Sequence, residues 1–189
     1  MKSIQNYYYV FINSDDNANE ATNIKSLNYN LSSILNAAPN RQFIEDQAYC
    51  YVKMSYFSLD IGTDLAAIGA TTTIQVRVGG CSFPNSFETK TIGAGGFNMV
   101  SSNILALVPT GRIDATDFNA LFMYSNEEYD NGYVVMSNPL KGDLNIQLTD
   151  ESGTPLVDGI SSGKTYTMKL EIYFPTDDEL QNIPNQPII

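Results

Sequence analysis

The stretches Leu144-Asn145-Ile146-Gln147-Leu148-Thr149 and Tyr166-Thr167-Met168-Lys169-Leu170-Glu171-Ile172 decide the fold. In both, apolar and polar residues alternate at period two. Successive side chains of an extended chain point to opposite faces, so each stretch forms a strand with one buried face and one wet face. A helix would need apolar spacings of both three and four, and these stretches have only even spacings. Glycines, prolines and aspartates fill the segment between the two strands, as a connection requires. The pattern predicts a β-sandwich.

Working outward, Tyr7 to Ile12 is an aromatic and β-branched run that predicts a first strand, closed by the turn-forming Asn13-Ser14-Asp15-Asp16-Asn17. Ile24, Leu27 and Tyr29 support a second strand, and Leu31 to Ala38 a short helical turn that Pro39 ends. Ala48 to Leu59 reads as a long central strand, with Cys50, Val52 and Met54 on one face and Tyr49, Tyr51 and Lys53 on the other. After a loop over Gly62 to Gly69, Thr72 to Val78 alternates again. Ile74, Val76 and Val78 point inward, Thr73, Gln75 and Arg77 outward, and Gly79-Gly80 ends the run.

Cys81 to Gly96 carries Pro84 and glycines at 93, 95 and 96, and reads as a long irregular connection. Ile104 to Val108 is apolar at every position, which suits a strand covered on both faces. Leu121 to Tyr124 and Tyr133 to Met136 predict two short strands around an exposed hairpin tip, Asn126-Glu127-Glu128-Tyr129-Asp130-Asn131-Gly132. Pro175 ends the last strand. The tally is roughly eight strands, or nine, which is close to a single jelly roll. The expected fold is therefore all-β, an antiparallel β-sandwich forming one domain over residues 1–175, with a polar, proline-bearing tail over residues 176–189.

A chain of 189 residues can bury roughly 70% of the surface it exposes when unfolded, so it needs no crosslinks to hold a core. Ten Lys plus Arg stand against 21 Asp plus Glu, a net charge of -11, and no basic run offers a footprint for phosphates. Direct nucleic-acid binding is not expected. The first residues lack the smooth apolar core of a signal peptide, and no stretch approaches the ~20 apolar residues of a transmembrane segment. Cys50 and Cys81 are too sparse for a disulfide framework and read as free buried thiols, which fits a reducing compartment. Without a secretory signal, the sequon Asn30-Leu31-Ser32 is a chance match.

The chain contains no histidine, which excludes Ser-His-Asp and Cys-His nucleophiles and every His-ligated metal site. Two cysteines cannot complete a four-ligand zinc site. Asp15-Asp16-Asn17-Ala18-Asn19-Glu20 opens like a calcium loop, but Glu20 stands where the sharp turn needs glycine and Ser26 where a bidentate Glu is required. Glu127, Glu128 and Asp130 could bind calcium or act as glycosidase carboxylates, yet they read first as exposed loop residues. Gly93-Ala94-Gly95-Gly96 lacks the Lys and Ser/Thr of a phosphate loop. Tyr7, Tyr8, Tyr9, Tyr49, Tyr51 and Tyr56 could form a stacking platform, although alternation should send about half of them into the core. No catalytic, cofactor-binding or metal-ligating residue is assigned, and the chain does not read as an enzyme.

The segment from Asn138 to Leu156, Asn-Pro-Leu-Lys-Gly-Asp-Leu-Asn-Ile-Gln-Leu-Thr-Asp-Glu-Ser-Gly-Thr-Pro-Leu, resembles the last hairpin of small capsid proteins from large DNA viruses and virophages. Tyr9-Val10-Phe11-Ile12-Asn13-Ser14-Asp15-Asp16, followed by Leu27-Asn28-Tyr29-Asn30-Leu31, is similar to the opening of the same proteins. The resemblance covers the two ends of the chain. It implies a single jelly roll in an icosahedral viral capsid, either a penton or a minor capsid protein, with other capsid proteins as partners. It also implies a homo-oligomer, a pentamer in the penton role, located in the virion and assembled in the host cytoplasm. No catalytic residue carries over. The rival expectation is a β-sandwich module that binds carbohydrate or a receptor through the tyrosines and the 126–132 loop, with Tyr129 and Asp130 as contacts.

Overall fold

The computed structural model describes residues 6–16, 26–60, 72–81, 83–84, 86–92, 96–110, 121–125, 133–156 and 165–176. Its strands, in chain order, are β1 (Tyr7–Asn13), β2 (Ser26–Asn30), β3 (Tyr49–Asp60), β4 (Thr73–Gly79), β5 (Phe87–Ile92) and β6 (Gly96–Ser101). Then come β7 (Ile104–Pro109), β8 (Leu121–Ser125), β9 (Val134–Ser137), β10 (Asp143–Thr149) and β11 (Thr165–Tyr173). Two short helices, α1 (Ser32–Ala37) and α2 (Arg41–Asp46), lie between β2 and β3.

The first sheet has the order β1-β11-β3, with β8 and β9 both pairing along β3. The second has the order β2-β10-β4-β7, and β5 pairs with β6 in a separate two-stranded ribbon. Every pairing is antiparallel. The pairs are also nested: β1 with β11 encloses β2 with β10, then β3 with β8 and β9, then β4 with β7, then β5 with β6. The chain is thus one long antiparallel hairpin. Contacts of β11 with β3 and of β10 with β4 distribute it over two sheets.

The inward faces meet in one core. The first sheet supplies Val10, Ile12, Val52, Met54, Phe57, Leu59, Met168, Leu170 and Ile172; the second supplies Leu27, Ile74, Val76, Val78, Leu144, Ile146 and Leu148. Each such side chain contributes roughly 1.5–3 kcal/mol when fully buried. The molecule is an all-β antiparallel sandwich, as its period-two patterning predicts. On β3 the pattern changes phase. Leu170 pairs with Met54 and Lys169 with Tyr56, so Ser55 is an extra residue in the strand. This bulge makes Cys50, Val52 and Met54 inward before it and Phe57 and Leu59 inward after it.

Polar groups tie the layers together. The Tyr29 hydroxyl of β2 lies 2.9 Å from the Tyr166 hydroxyl of β11, joining the two sheets. Buried Asn138 donates from its amide to the Ile44 and Gln47 carbonyl oxygens at 2.9 and 3.1 Å, and its Oδ1 accepts from the Leu140 N–H at 3.0 Å. It thereby fixes the end of α2 to the turn between β9 and β10. In the turn after β10, Gly153 has φ +83°, a left-handed conformation that glycine adopts without steric cost. The Asp150 carboxylate accepts from the Ser152 and Thr154 N–H groups at 2.8 Å each and closes that turn.

Three expectations are corrected. Residues 81 to 96 are not one irregular connection: Phe87–Ile92 is β5, and β6 begins at Gly96. Phe87 on one side of this strand is 58% exposed, and Glu88 on the other turns toward Arg77, so the strand has no buried apolar face to announce it. Strand β7 is not covered on both faces, since Leu105 and Val108 are buried while Leu107 is 54% exposed. Strands β8 and β9 do not form a hairpin. Both run antiparallel to β3, at Tyr56–Asp60 and Tyr49–Val52, so they lie one after the other along β3 and not against each other. Strands β10 and β11, whose partners the sequence leaves open, lie in different sheets, β10 between β2 and β4 and β11 between β1 and β3. Alternation specifies which face of a strand is buried and leaves its neighbour open. Helix α2, with Ile44 buried, was not expected. The tail over 177–189 lies outside the described residues.

Candidate interaction surface

Parity on three adjacent strands determines the outer face of the first sheet. Val10 and Ile12 point inward on β1, so Tyr7, Tyr9 and Phe11 point out. Leu170 and Ile172 point inward on β11, so Lys169, Glu171 and Tyr173 point out. Register then aligns them in rows. Tyr7 faces Tyr173, which faces Tyr51; Tyr9 faces Glu171, which faces Lys53; Phe11 faces Lys169, which faces Tyr56.

The first row is aromatic throughout. The Tyr7 and Tyr173 rings stack with centroids 4.4 Å apart, and Tyr51 lies 6.2 Å from Tyr173. Such pairs contribute about 0.5–1.5 kcal/mol each beyond their buried area. The charges of the other rows lie among aromatic rings. Lys169 Nζ is 5.1 Å from the Tyr9 ring centroid and 3.3 Å from Glu171 Oε1. Lys53 Nζ is 5.3 Å from the Tyr133 ring, and the Tyr133 hydroxyl donates to Glu171 Oε2 at 3.2 Å. Lys53 is only 4% exposed although it is outward on the sheet, because neighbouring side chains cover its stem.

These contacts shift two acids in opposite directions. Burial alone would raise the Glu171 carboxyl, but hydrogen bonds that include those from Lys169 and Tyr133, with the charge of Lys53, hold it below the ordinary value. Burial, followed by the Glu171 charge and its hydrogen bond, pushes the Tyr133 phenol well above its ordinary value. A network of this kind fixes side chains.

Over this lattice the rim is apolar and open to water: Tyr7 is 45% exposed, Tyr9 58%, Phe11 74% and Tyr49 50%. A second apolar face lies on the β5–β6 ribbon, where Phe87, Phe97 and Met99 are exposed on one side. The other side of the ribbon faces the second sheet through Glu88. The Arg77 guanidinium donates to both Glu88 oxygens, at 3.2 and 2.7 Å, and also to Gln75, Asn103 and Thr149. The Arg77 hydrogen bonds hold the Glu88 carboxyl below the usual carboxylate range. A polar cavity of about 400 Å³ beside this pair is lined by Lys90, Gln147 and Glu151 among others. Arg77 is engaged by the fold itself, so this cavity reads as a seam under a clamped ribbon.

Of the six tyrosines expected to divide between platform and core, Tyr8 alone turns inward, at 8% exposed. Tyr7, Tyr9, Tyr49, Tyr51 and Tyr56 share the outer face. Tyr173, Tyr133 and Phe11 belong to it too, and the alternation of β11 and β1 carries the signal for two of them. Cys50 is buried and Cys81 half-buried, and neither forms a disulfide. Residues 17–20 of the calcium-like loop, the 127–130 acidic cluster and Gly93 to Gly95 lie outside the described residues. Among the described residues no three His, Cys, Asp or Glu side chains gather as metal ligands, and no helix is long and apolar enough to cross a membrane. No family model matches the chain, and no curated protein matches it in sequence.

Proposed function

We propose that this chain is a structural subunit of an icosahedral viral capsid, a penton or minor capsid protein built as a single jelly roll and acting through protein contacts. The nested strand pairing carries the reading. If β8 and β9 count as one interrupted strand and the β5–β6 ribbon as an insertion, eight strands remain, four in each sheet. Successive strands then alternate between the sheets except at the β4-to-β7 step, which is the order produced by rolling up one long hairpin. Two exposed aromatic faces and the missing histidine agree with work done by contact area. The partners on this reading are other capsid proteins and further copies of the chain, in the virion, after assembly in the host cytoplasm.

Mass spectrometry of purified particles tests the proposal. The chain should be present in a fixed ratio to the principal shell protein; its absence from particles defeats the reading. The rival reading, a carbohydrate- or receptor-binding module, draws on the outward tyrosines. Glycan binding that is lost on Tyr9→Ala would favour it.

A further inference from the structure

We infer that the polar cavity between the β5–β6 ribbon and the second sheet binds a neutral, polyhydroxylated ligand, a sugar of one or two rings. The inference goes beyond both readings of the protein, because it places a site away from the outward tyrosines of the first sheet. The cavity measures about 400 Å³. That is at the small end of the roughly 300–1,000 Å³ of small-molecule sites. Of the side chains that line it, only that of Pro155 is apolar. An apolar occupant would strip water from the polar lining and return no hydrogen bonds, which is unfavourable. A fitting ligand therefore carries donors and acceptors around its whole rim.

Charge and the supply of donors narrow the class further. Arg77 has all its N–H donors engaged: Nε with Gln75 and Thr149, Nη1 with Glu88 and Asn103, Nη2 with Gln75 and Glu88. An anion would have to displace Glu88 to reach it. The charged side chains at the cavity, Arg77 and Lys90 against Glu88 and Glu151, cancel. Neutral amides hold the open positions. Asn103 accepts from Arg77 through Oδ1 at 2.9 Å, which leaves its two N–H donors for the cavity it lines. Gln147 donates through Nε2 to Asn145 Oδ1 at 2.7 Å, and Asn145 donates in turn to Ser26 and Asn28 at 3.0 and 2.8 Å. Gly79 gives this row its room, since a Cβ there would come within 2.9 Å of Asn145 Oδ1. The row fixes the Gln147 amide and leaves its Oε1 as an acceptor. Ser101 and Lys90 add a hydroxyl and an ammonium from the ribbon. A held donor beside a held acceptor matches adjacent sugar hydroxyls, each of which both donates and accepts.

The test is a titration of the isotopically labelled full chain, followed through the side-chain amide resonances of Asn103 and Gln147. The probes are glucose, galactose, N-acetylglucosamine, maltose and lactose, with sialic acid and inorganic phosphate as anionic comparators. We expect at least one neutral sugar to move both resonances saturably, with a Kd on the order of 1 mM. Gln147→Ala should weaken that binding about 10-fold and Lys90→Ala about 3-fold. The Lys90 side chain is 63% exposed, so its removal spares the fold, and circular dichroism verifies the fold of Gln147→Ala. If no neutral sugar moves either resonance, the inference is overturned. It is equally overturned by tighter binding of sialic acid or phosphate, by binding undiminished in both variants, or by binding that Tyr9→Ala abolishes. None of these results bears on whether the chain is present in particles, so the capsid reading is decided separately by mass spectrometry.

Discussion

The Tyr29 and Tyr166 hydroxyls, 2.9 Å apart, join the two sheets through a hydrogen bond between a half-buried ring and one that is fully buried. The two ends of this bond are unequal in their access to water. Tyr29→Phe leaves the buried Tyr166 hydroxyl without this partner and should destabilise by about 2 kcal/mol, within the range for a stranded buried polar group. Tyr166→Phe removes the buried hydroxyl itself and should cost about 1 kcal/mol. Urea unfolding of both single variants and the double variant measures the coupling.

Alkaline sensitivity follows from the same ring. Burial, then the neighbouring Tyr29, raises the Tyr166 phenol far above its ordinary value, and burial first raises Tyr133 as well. A phenol whose folded pKa is raised contributes stability that is complete below its unfolded value, about pH 10, and is lost as pH climbs beyond it. Absorbance at 295 nm should show these tyrosines ionising together with loss of the β-sheet dichroism. Early, independent ionisation of every tyrosine would contradict this.

The acid limb has a different origin. Hydrogen bonds from Arg77 lower the Glu88 carboxyl, so its contribution is present above about pH 4.3 and is lost as pH falls through the lower folded value. Arg77 and Glu88 are mostly shielded, at 12% and 17% side-chain exposure. Glu88→Ala should cost about 2 kcal/mol, less than a fully buried pair because water still reaches the site. Hydrogen exchange should quicken first in β5 and β6 and least in β10.

Asn138 satisfies three backbone groups with one side chain while 8% exposed. Asn138→Ala should destabilise by about 2 kcal/mol, since the Gln47 carbonyl and the Leu140 N–H lose this partner in a mostly dry site while the Ile44 carbonyl still accepts from the Gln47 N–H. Asn138→Asp should fare no better, because a carboxylate cannot donate to the Ile44 and Gln47 carbonyls. Thermal denaturation of both variants tests the pair.

Cys50 is 1% exposed, and burial followed by the nearby Cys81 raises its thiol far above the ordinary range. Burial raises Cys81 as well. Both thiols should react slowly with a disulfide reagent at neutral pH and rapidly after unfolding. Fast labelling of Cys50 in the native chain would contradict its burial.

Much of the fold was legible because alternation reports burial directly. Tyr7 to Ile12, Ala48 to Leu59, Thr72 to Val78 and the two C-terminal stretches all form strands, with Cys50, Val52, Met54, Ile74, Val76 and Val78 inward as expected, although the outward Gln75 is covered and only 8% exposed. Even the Ser55 bulge leaves a trace, in the step from inward Met54 to inward Phe57. The partners of β10 and β11 were not legible, because a long connection can lead to either sheet. Strands β5 and β6 were missed because a ribbon with one apolar face open to water lacks a core pattern. The tyrosine platform was partly visible, but its rows depend on the register of β1, β11 and β3, which no single strand reveals.

The most direct measurement is a density map of the intact particle at a resolution that separates strands. The account predicts a two-sheet sandwich at a capsid vertex or between capsomers, with Tyr9 and Phe11 covered by a neighbouring protein. A particle that lacks the chain, or one in which that face of the sheet is bare to solvent, would contradict it.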